Sequence, residues 1–213
     1  MSLKGIFIVR HAESDEDINP NLNGEVVDSE ISITTLGQKQ AFEIKSQLQK
    51  ILPVFRGLRV IVSTSNRAIE TARILTEGFV DEGNKYYSFE NSIRNLNWGD
   101  VNQTNVRQIE KERYEVGVLF YSFLGGDHTP EYVKNIQSFT DRCLKEGLQS
   151  NHPEALLIVA HGFSMRVIVK CFLGMSDDEF KWLANPHNCF IVNLAVDGEH
   201  INLKTKMPIY KAR

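Results

Sequence analysis

Two short apolar segments, each followed directly by a histidine, constrain the fold of this chain most. Gly5–Val9 lacks charge and is rich in β-branched and aromatic residues, and Arg10 and His11 follow it. Ala155–Ala160 is a second such run, and His161 follows it. Apolar runs of this length are typical of buried strands in a parallel sheet. Ligands bind at the carboxyl ends of such strands, so the two histidines share one crevice if the strands are neighbours.

A third strand-like segment places another candidate site residue at the same edge of the sheet. Leu58–Ser63 has the composition of a buried strand, and a helical pattern follows from Asn66, with Ser65 as its N-cap. Arg67 then lies in the first helical turn, where the helix dipole disfavours a cation. A solvated surface arginine is the simpler interpretation of an isolated residue of this kind. Because Arg67 falls at the edge that carries both histidines, we predict that it holds an anion.

Helical patterns alternate with the strand-like segments along the chain. They cover 35–51, 66–77, 103–114, 130–149 and 164–173, with a further short helix predicted by the capping-box pattern at 176–179. Cys189–Leu194 and His200–Leu203, joined through Asp197-Gly198, predict a β-hairpin at an edge of the sheet. The fold class is therefore α/β: a three-layer α/β/α sandwich with a mostly parallel central sheet. We expect one domain over residues 1–213, with 78–132 as a cap-like insertion over the crevice.

Composition limits the classes of partner. The chain has 213 residues, 42% of them hydrophobic, so it can bury a full core. Its formal net charge is −3, and no stretch has the density of basic residues typical of a nucleic-acid surface. No apolar run has the length of a membrane span, and the first residues lack a signal-peptide pattern. The three cysteines lack zinc-site spacing, which suits a reducing compartment, so we expect a cytoplasmic protein without nucleic-acid or membrane partners.

Four motifs stand in order along the chain: Arg10-His11-Ala12-Glu13-Ser14, 33–41 (ITTLGQKQA), 65–72 (SNRAIETA) and Ala160-His161-Gly162. Together they resemble the histidine phosphatase superfamily, also called phosphoglycerate mutase-like. The motifs extend from residue 10 to residue 162, and the strand-like segments up to about residue 205 also fit. The resemblance implies a pocket for phosphoryl transfer.

The resemblance also implies roles for individual residues. His11 matches the nucleophile, whose free nitrogen attacks phosphorus to form phosphohistidine while a backbone carbonyl holds the other nitrogen as a donor. Arg10, Arg67 and His161 match the cationic ring around the phosphoryl oxygens, and guanidinium forks suit a phosphate. Further substrate contacts are implied for Ser14, Asn23, Gly24, Asn95 and Gly162. For Ser14 the alternative is an ordinary loop or cap serine.

One position departs from the pattern of this superfamily. Its members carry a glutamate four residues before a glycine and use it to protonate the leaving oxygen, and the matching segment Ile93–Asp100 places Asn95 there. An amide cannot release a proton at neutral pH, and general-acid catalysis contributes roughly 10²–10⁴-fold. Glu13 and Asp127 are candidate substitutes, while Asp100 and His128 are more simply surface residues. A smaller departure is Ala12, which stands in place of a glycine.

The function implied is that of a phosphomonoester hydrolase, a histidine-type acid phosphatase-like enzyme that forms phosphohistidine on His11. We expect a small phosphorylated substrate, no cofactor and no metal, because no carboxylate or cysteine shares ligand spacing with His11 and His161. One alternative is a catalytically weak module that binds a phosphate ligand or a partner. A phosphoglycerate-type mutase is a second alternative, and a homodimer is left open.

Overall fold

A six-stranded sheet forms the centre of the computed structural model, which describes residues 2–19, 22, 26–27, 30–78, 86–102, 104–149 and 151–210. The strands are β1 (Gly5–Arg10), β2 (Leu58–Ser63), β3 (Tyr87–Glu90), β4 (Ala155–Ala160), β5 (Ile191–Asp197) and β6 (His200–Leu203). Their order across the sheet is β3-β2-β4-β1-β5-β6. β1 to β4 run parallel to one another, and β5 and β6 join the sheet antiparallel. This architecture confirms the mostly parallel sheet.

The helices cover both faces of this sheet. They are α1 (Asp15–Ile18), α2 (Thr35–Ile51), α3 (Asn66–Thr76), α4 (Val106–Val116), α5 (Thr129–Gly147), α6 (Gly162–Leu173) and α7 (Asp177–Phe180). Alternate strand residues enter different cores: Ile6 packs with residues of α5 and α6, whereas Phe7 packs with residues of α2 and α3. Because both faces are buried, β4 is apolar throughout and β1 is apolar up to Val9. The three-layer α/β/α sandwich is thereby confirmed.

The register of the central strands places the two histidines together. β4 lies between β1 and β2, and Arg10 is the partner of Ala160 in the parallel pairing. His11 and His161, each the next residue along its strand, therefore leave the sheet side by side. The sequence predicts that the two histidines lie together only if their strands are neighbours, and β1 and β4 are neighbours in the sheet.

Part of the segment predicted as an insertion belongs to the sheet. Tyr87–Glu90 forms β3, an edge strand parallel to β2. This strand is short and only partly buried, so it lacks the apolar run that identifies the central strands. A 3₁₀ turn at Asn91–Ile93 follows β3, and the chain then passes through α4 before α5 begins. The role of this region as a cap over the crevice stays a prediction.

The predicted edge hairpin and the capping box are confirmed, although the first strand of the hairpin is Ile191–Asp197 and not Cys189–Leu194. β5 and β6 pair antiparallel, and Gly198 between them has a φ of +61°, a conformation that favours glycine. At α7, the Ser176 hydroxyl accepts a hydrogen bond from the Glu179 amide, while the Glu179 carboxylate accepts one from the Ser176 amide. Among the described residues, no helix is long and apolar enough to cross a membrane.

The loop after β1 packs directly on the start of α2. A Cβ placed on Gly37 would lie 2.1 Å from the carbonyl oxygen of Glu13, far inside van der Waals contact. Thr34 caps α2 by accepting from the Gly37 amide, and the Thr34 amide donates to the same Glu13 carbonyl. Gly37 therefore allows the close approach that fixes the segment following His11.

We expect Gly37→Ala to lower the free energy of unfolding by about 1–3 kcal/mol, the usual range for overpacking a tight contact. The better helix propensity of alanine opposes this loss but is smaller, about 1 kcal/mol. Urea unfolding followed by circular dichroism measures the change. Gln38→Ala, at the exposed neighbouring position, is the control and should change stability by less than about 0.5 kcal/mol. An unchanged or raised stability of Gly37→Ala would contradict the proposed contact.

Candidate active site

Two buried imidazoles lie side by side at the carboxyl edge of the sheet. The ring centroids of His11 and His161 are 5.1 Å apart with an angle of 55° between the ring planes. His11 is 4% exposed and His161 is 1% exposed. The His11 amide also donates to the carbonyl of Ala160, which continues the strand pairing to the site itself. The predicted juxtaposition of the two histidines at the sheet edge is thus present in the structure.

The proton of His11 is fixed by its own loop. Its Nδ1 lies 2.8 Å from the carbonyl oxygen of Ala12. A carbonyl can only accept a hydrogen bond, so Nδ1 carries the proton and Nε2 keeps a lone pair when the ring is neutral. The backbone carbonyl predicted to hold the ring is therefore that of the next residue.

A hydroxyl from the neighbouring strand orients His161. Its Nε2 lies 2.8 Å from Oγ of Ser63, the last residue of β2. The Ser63 hydroxyl also accepts from the Ser65 amide at 3.4 Å, so we assign its proton to the bond with Nε2. The neutral ring of His161 then carries its proton on Nδ1, a buried atom without a hydrogen-bond partner in the described part of the chain. This N–H can donate to an anion in the crevice.

Both histidines are held neutral. Burial, followed by the charges of Arg67 and Arg10, lowers the pKa of His11. Burial and then Arg67, with smaller contributions from the other site residues, lower the pKa of His161 well below its ordinary value. A neutral His11 keeps the lone pair on Nε2 at physiological pH, which is the state that a nucleophile requires.

Two guanidinium groups complete the site. Arg67 lies in the first turn of α3, as predicted, and is 1% exposed. Arg10 donates from Nη1 to the carbonyl of Pro186 at 2.6 Å and from Nη2 to Asp17 at 2.9 Å. Burial lowers the pKa of Arg10, yet a guanidinium stays charged in proteins. The crevice thus combines two fixed positive charges with two neutral imidazoles, an arrangement suited to an anion with several oxygens.

The family model for the histidine phosphatase superfamily, branch 1, matches residues 6–207 of this chain. The chain belongs to this superfamily. Two relatives from Arabidopsis thaliana, the phosphoglycerate mutase-like proteins AT74H and AT74, are each 25% identical to it over 92% and 87% of its residues. The chain spans 76% and 62% of their respective lengths.

Solved structures of this superfamily share the fold. A mycobacterial glucosyl-3-phosphoglycerate phosphatase superposes with a TM-score of 0.73 at 16% identity, covering 96% of this chain and 99% of that one. The α-ribazole phosphatase of Shigella flexneri gives a TM-score of 0.70 at 15% identity, covering 98% of this chain and 100% of that one. At these identities the likeness shows the fold alone, and it agrees with the predicted α/β class.

The superfamily motif on α3 also positions the loop that contains His11. Besides Arg67, it supplies Thr71, whose hydroxyl accepts from the Ala12 amide at 3.0 Å. Glu70 accepts from the Ile33 amide at 2.8 Å. These two residues had no predicted role in the sequence, because their partners are distant along the chain. They hold the segments on either side of the crevice in place.

Two carboxylates at the arginines were missed by the sequence analysis. Oε2 of Glu16 lies 3.3 Å from Nη2 of Arg67, and Oδ1 of Asp17 contacts Arg10. Both belong to α1, whose cap is Ser14. The pattern Ser14-x-x-Asp17 resembles a capping box, and this signal could have identified the short helix.

The other predicted contacts have different outcomes. The Ser14 hydroxyl donates to Asp17 at 2.9 Å, which is the cap role kept as its alternative. Gly162 begins α6, next to His161. Asn95 is half-buried, and its carbonyl accepts from Nη1 of Arg94. Contacts of Ser14, Gly162 and Asn95 with a substrate stay predictions. Asn23 and Gly24 lie outside the described residues.

The candidate substitutes for the acid hold loops together. The Glu13 carboxylate accepts from the Thr34 hydroxyl at 2.7 Å. Asp127 binds both terminal nitrogens of Arg94, at 2.8 and 2.6 Å, and also accepts from the Asn97 amide. These bonds give both carboxylates a structural role, and their predicted role as the acid stays a prediction. Asp100 and His128 are exposed. Across the described ranges, no group of three or more His, Cys, Asp or Glu side chains could hold a metal ion.

The two neutral imidazoles predict how stability depends on pH. Between pH 5 and 7 the unfolded chain, with histidine pKa values near 6.5, binds more protons than the native state, in which both pKa values are lowered. Stability therefore rises with pH in this range. Going from pH 7 to pH 5 should lower the free energy of unfolding by about 2 kcal/mol for each histidine.

Urea unfolding at pH 5, 6 and 7 checks this expectation. His11→Asn should reduce the pH dependence by about 2 kcal/mol, the share of one histidine, whereas His187→Asn, at an exposed position, should keep it. A native state that becomes more stable as the pH falls from 7 to 5 would contradict neutral burial of the two rings.

Proposed function

We propose that this protein is a phosphomonoester hydrolase that acts on a small phosphorylated substrate through phosphohistidine on His11, with acid phosphatase-like chemistry. The observation that carries the proposal is the hydrogen bond from Nδ1 of His11 to the Ala12 carbonyl. This bond leaves Nε2 unprotonated in a buried ring whose pKa is lowered by burial and by Arg67 and Arg10. Membership of the histidine phosphatase superfamily supports the same chemistry.

In the first step, Nε2 of His11 attacks phosphorus, and the bond between phosphorus and the ester oxygen breaks. Arg10, Arg67 and the Nδ1–H of His161 surround the phosphoryl oxygens in this proposal. They stabilise the negative charge that is spread over these oxygens in the transition state, which is the main contribution a protein makes to phosphoryl transfer. Because the Arg10 guanidinium is held by the Pro186 carbonyl and Asp17, it needs little reorganisation.

In the second step, water attacks the phosphohistidine and releases inorganic phosphate. The proton on Nδ1 of His11 stays in its bond to the Ala12 carbonyl through both steps, so the ring is a good leaving group when Nε2 loses the phosphoryl group. The fixed proton on Nδ1 of His11 therefore matters in both steps: it leaves Nε2 free to attack phosphorus, and it makes the ring a good leaving group.

Asn95 stands at the general-acid position of the superfamily in this proposal. Its amide has no proton to give at neutral pH. The leaving oxygen must therefore either depart as an alkoxide or receive a proton from another residue.

A mutase is the second activity to consider, because two relatives are named phosphoglycerate mutase-like proteins. A mutase returns the phosphoryl group to a bound product and uses one acid–base group twice. Both activities need an acid–base group, which Asn95 cannot supply, so we favour hydrolysis because the solved structures similar in fold are named as phosphatases. The glucosyl-3-phosphoglycerate and α-ribazole phosphatases are similar in fold, and we extend only the hydrolysis of a phosphomonoester to this chain.

Mixing the purified protein with an activated aryl phosphate, followed by a rapid quench, tests the proposal. Intact-mass measurement should detect one added phosphoryl group, which is labile to acid and stable to alkali. Peptide mapping should place it on His11, because only this ring offers a fixed lone pair in the crevice.

Two variants complete the experiment. His11→Ala should abolish both the phosphoryl adduct and turnover while the protein remains folded. His187→Ala should retain both, although His187 makes the same type of bond from Nδ1 to the next carbonyl at an exposed position. A phosphoryl group on another residue, or full turnover by His11→Ala, would refute the mechanism. Tight phosphate binding without turnover would favour the binding module instead.

A further inference from the structure

α1 brings a carboxyl group onto the cationic ring. Oε2 of Glu16 lies 3.3 Å from Nη2 of Arg67, and the charge of Glu16 also acts on Arg10. We propose that Glu16 is the proton donor to the leaving oxygen, in the role that Asn95 cannot perform. This inference rests on the proposed phosphomonoesterase function and identifies a further catalytic residue for it.

The position of Glu16 fits the exit of the leaving group. Its side chain is 23% exposed, whereas that of Arg67 is 1% exposed, so Glu16 lies on the more solvent-accessible side of this ion pair. A phosphoryl group held by Arg10, Arg67 and the imidazoles must direct its ester oxygen and the attached group towards solvent. If a phosphoryl oxygen and Glu16 both accept from Nη2 of Arg67 at about 3 Å, they are at most roughly 6 Å apart.

Asp17 fixes the helix that carries Glu16. Its carboxylate accepts hydrogen bonds from the Ser14 amide and hydroxyl, from Arg10 and from the Asn188 side chain. These partners come from three separate segments of the chain. Asp17 is thus a positioning residue, and its bonds hold the adjacent Glu16 beside Arg67.

Substrate binding itself favours the acid form of Glu16. A phosphomonoester competes with the Glu16 carboxylate for Arg67 and places negative charge beside it. A carboxylate that exchanges a positive neighbour for a negative one takes up a proton more readily. Glu16 is therefore expected to be ionised before the substrate binds and protonated in the complex.

The proton balance then closes over both steps. When His11 attacks phosphorus, the electron pair of the breaking P–O bond goes to the ester oxygen, which takes the proton from the Glu16 carboxyl and leaves as an alcohol. The Glu16 carboxylate then takes a proton from the attacking water as the P–N bond breaks and its electron pair returns to Nε2. The products are the alcohol and inorganic phosphate, and Glu16 ends protonated as it began in the complex.

Glu16→Gln tests this role, with Asp15→Asn as the matched control that removes a negative charge from the same helical turn. The measurement is the first-turnover release of the alcohol or phenol over a series of alkyl and aryl phosphates. Glu16→Gln should slow release from alkyl phosphates by about 10²–10⁴-fold and change it only a few-fold for the most acidic phenols. Asp15→Asn should keep the dependence of the parent protein.

A second readout separates catalysis from a structural effect. With an activated aryl phosphate, Glu16→Gln should still form phosphohistidine but hydrolyse it more slowly, so the phosphoenzyme accumulates at steady state. An equal loss on all substrates would assign Glu16 to structure or binding and overturn the proposal. Faster turnover of all substrates would show that Glu16 only competes for Arg67, which also overturns it. Failure of the parent protein to form phosphohistidine would instead refute the proposed function.

Discussion

The parallel pairing of β1 with β4 determines the position of the whole site. Because Arg10 is in register with Ala160, the next residue on each strand is a histidine, and the two rings meet at the sheet edge. β2 adds Ser63 on the other side of β4, where it orients His161. The helices and loops then bring further groups to this edge, but none of them could assemble the pair if the register changed by one residue.

Charge is the second constraint, since the site places the buried Arg67 and the half-buried Arg10 beside two imidazoles. Burial, together with the positive charges, lowers the pKa of His11 and of His161. The two guanidinium groups would repel one another without acidic partners. In the free protein, α1 supplies these partners through Glu16 and Asp17. A phosphoryl group brings its own negative charge, so a bound substrate takes over part of the charge compensation that Glu16 and Asp17 provide in the free protein. We infer that this exchange links anion binding to proton delivery.

The sequence predicts those features that depend on local pattern. Ala155–Ala160 was predicted with the correct bounds, because a strand buried on both faces is apolar at every position. Tyr87–Glu90 was missed because an edge strand has no such pattern. The contact of Glu16 with Arg67 could not be foreseen, since it depends on how the loop after β1 folds back over α3. Motifs thus identify the groups that bind phosphate, while tertiary packing decides which carboxylate accompanies them.

The state of the His11 ring is the central claim of this account, and nitrogen NMR of protein labelled with ¹⁵N in its histidines measures it directly. Comparison with His11→Asn assigns the two ring signals. At pH 7 the spectrum should show a neutral ring with the proton on Nδ1 and an unprotonated Nε2, and this state should persist at pH 6. A ring protonated on both nitrogens, or a neutral ring with its proton on Nε2, would contradict the account.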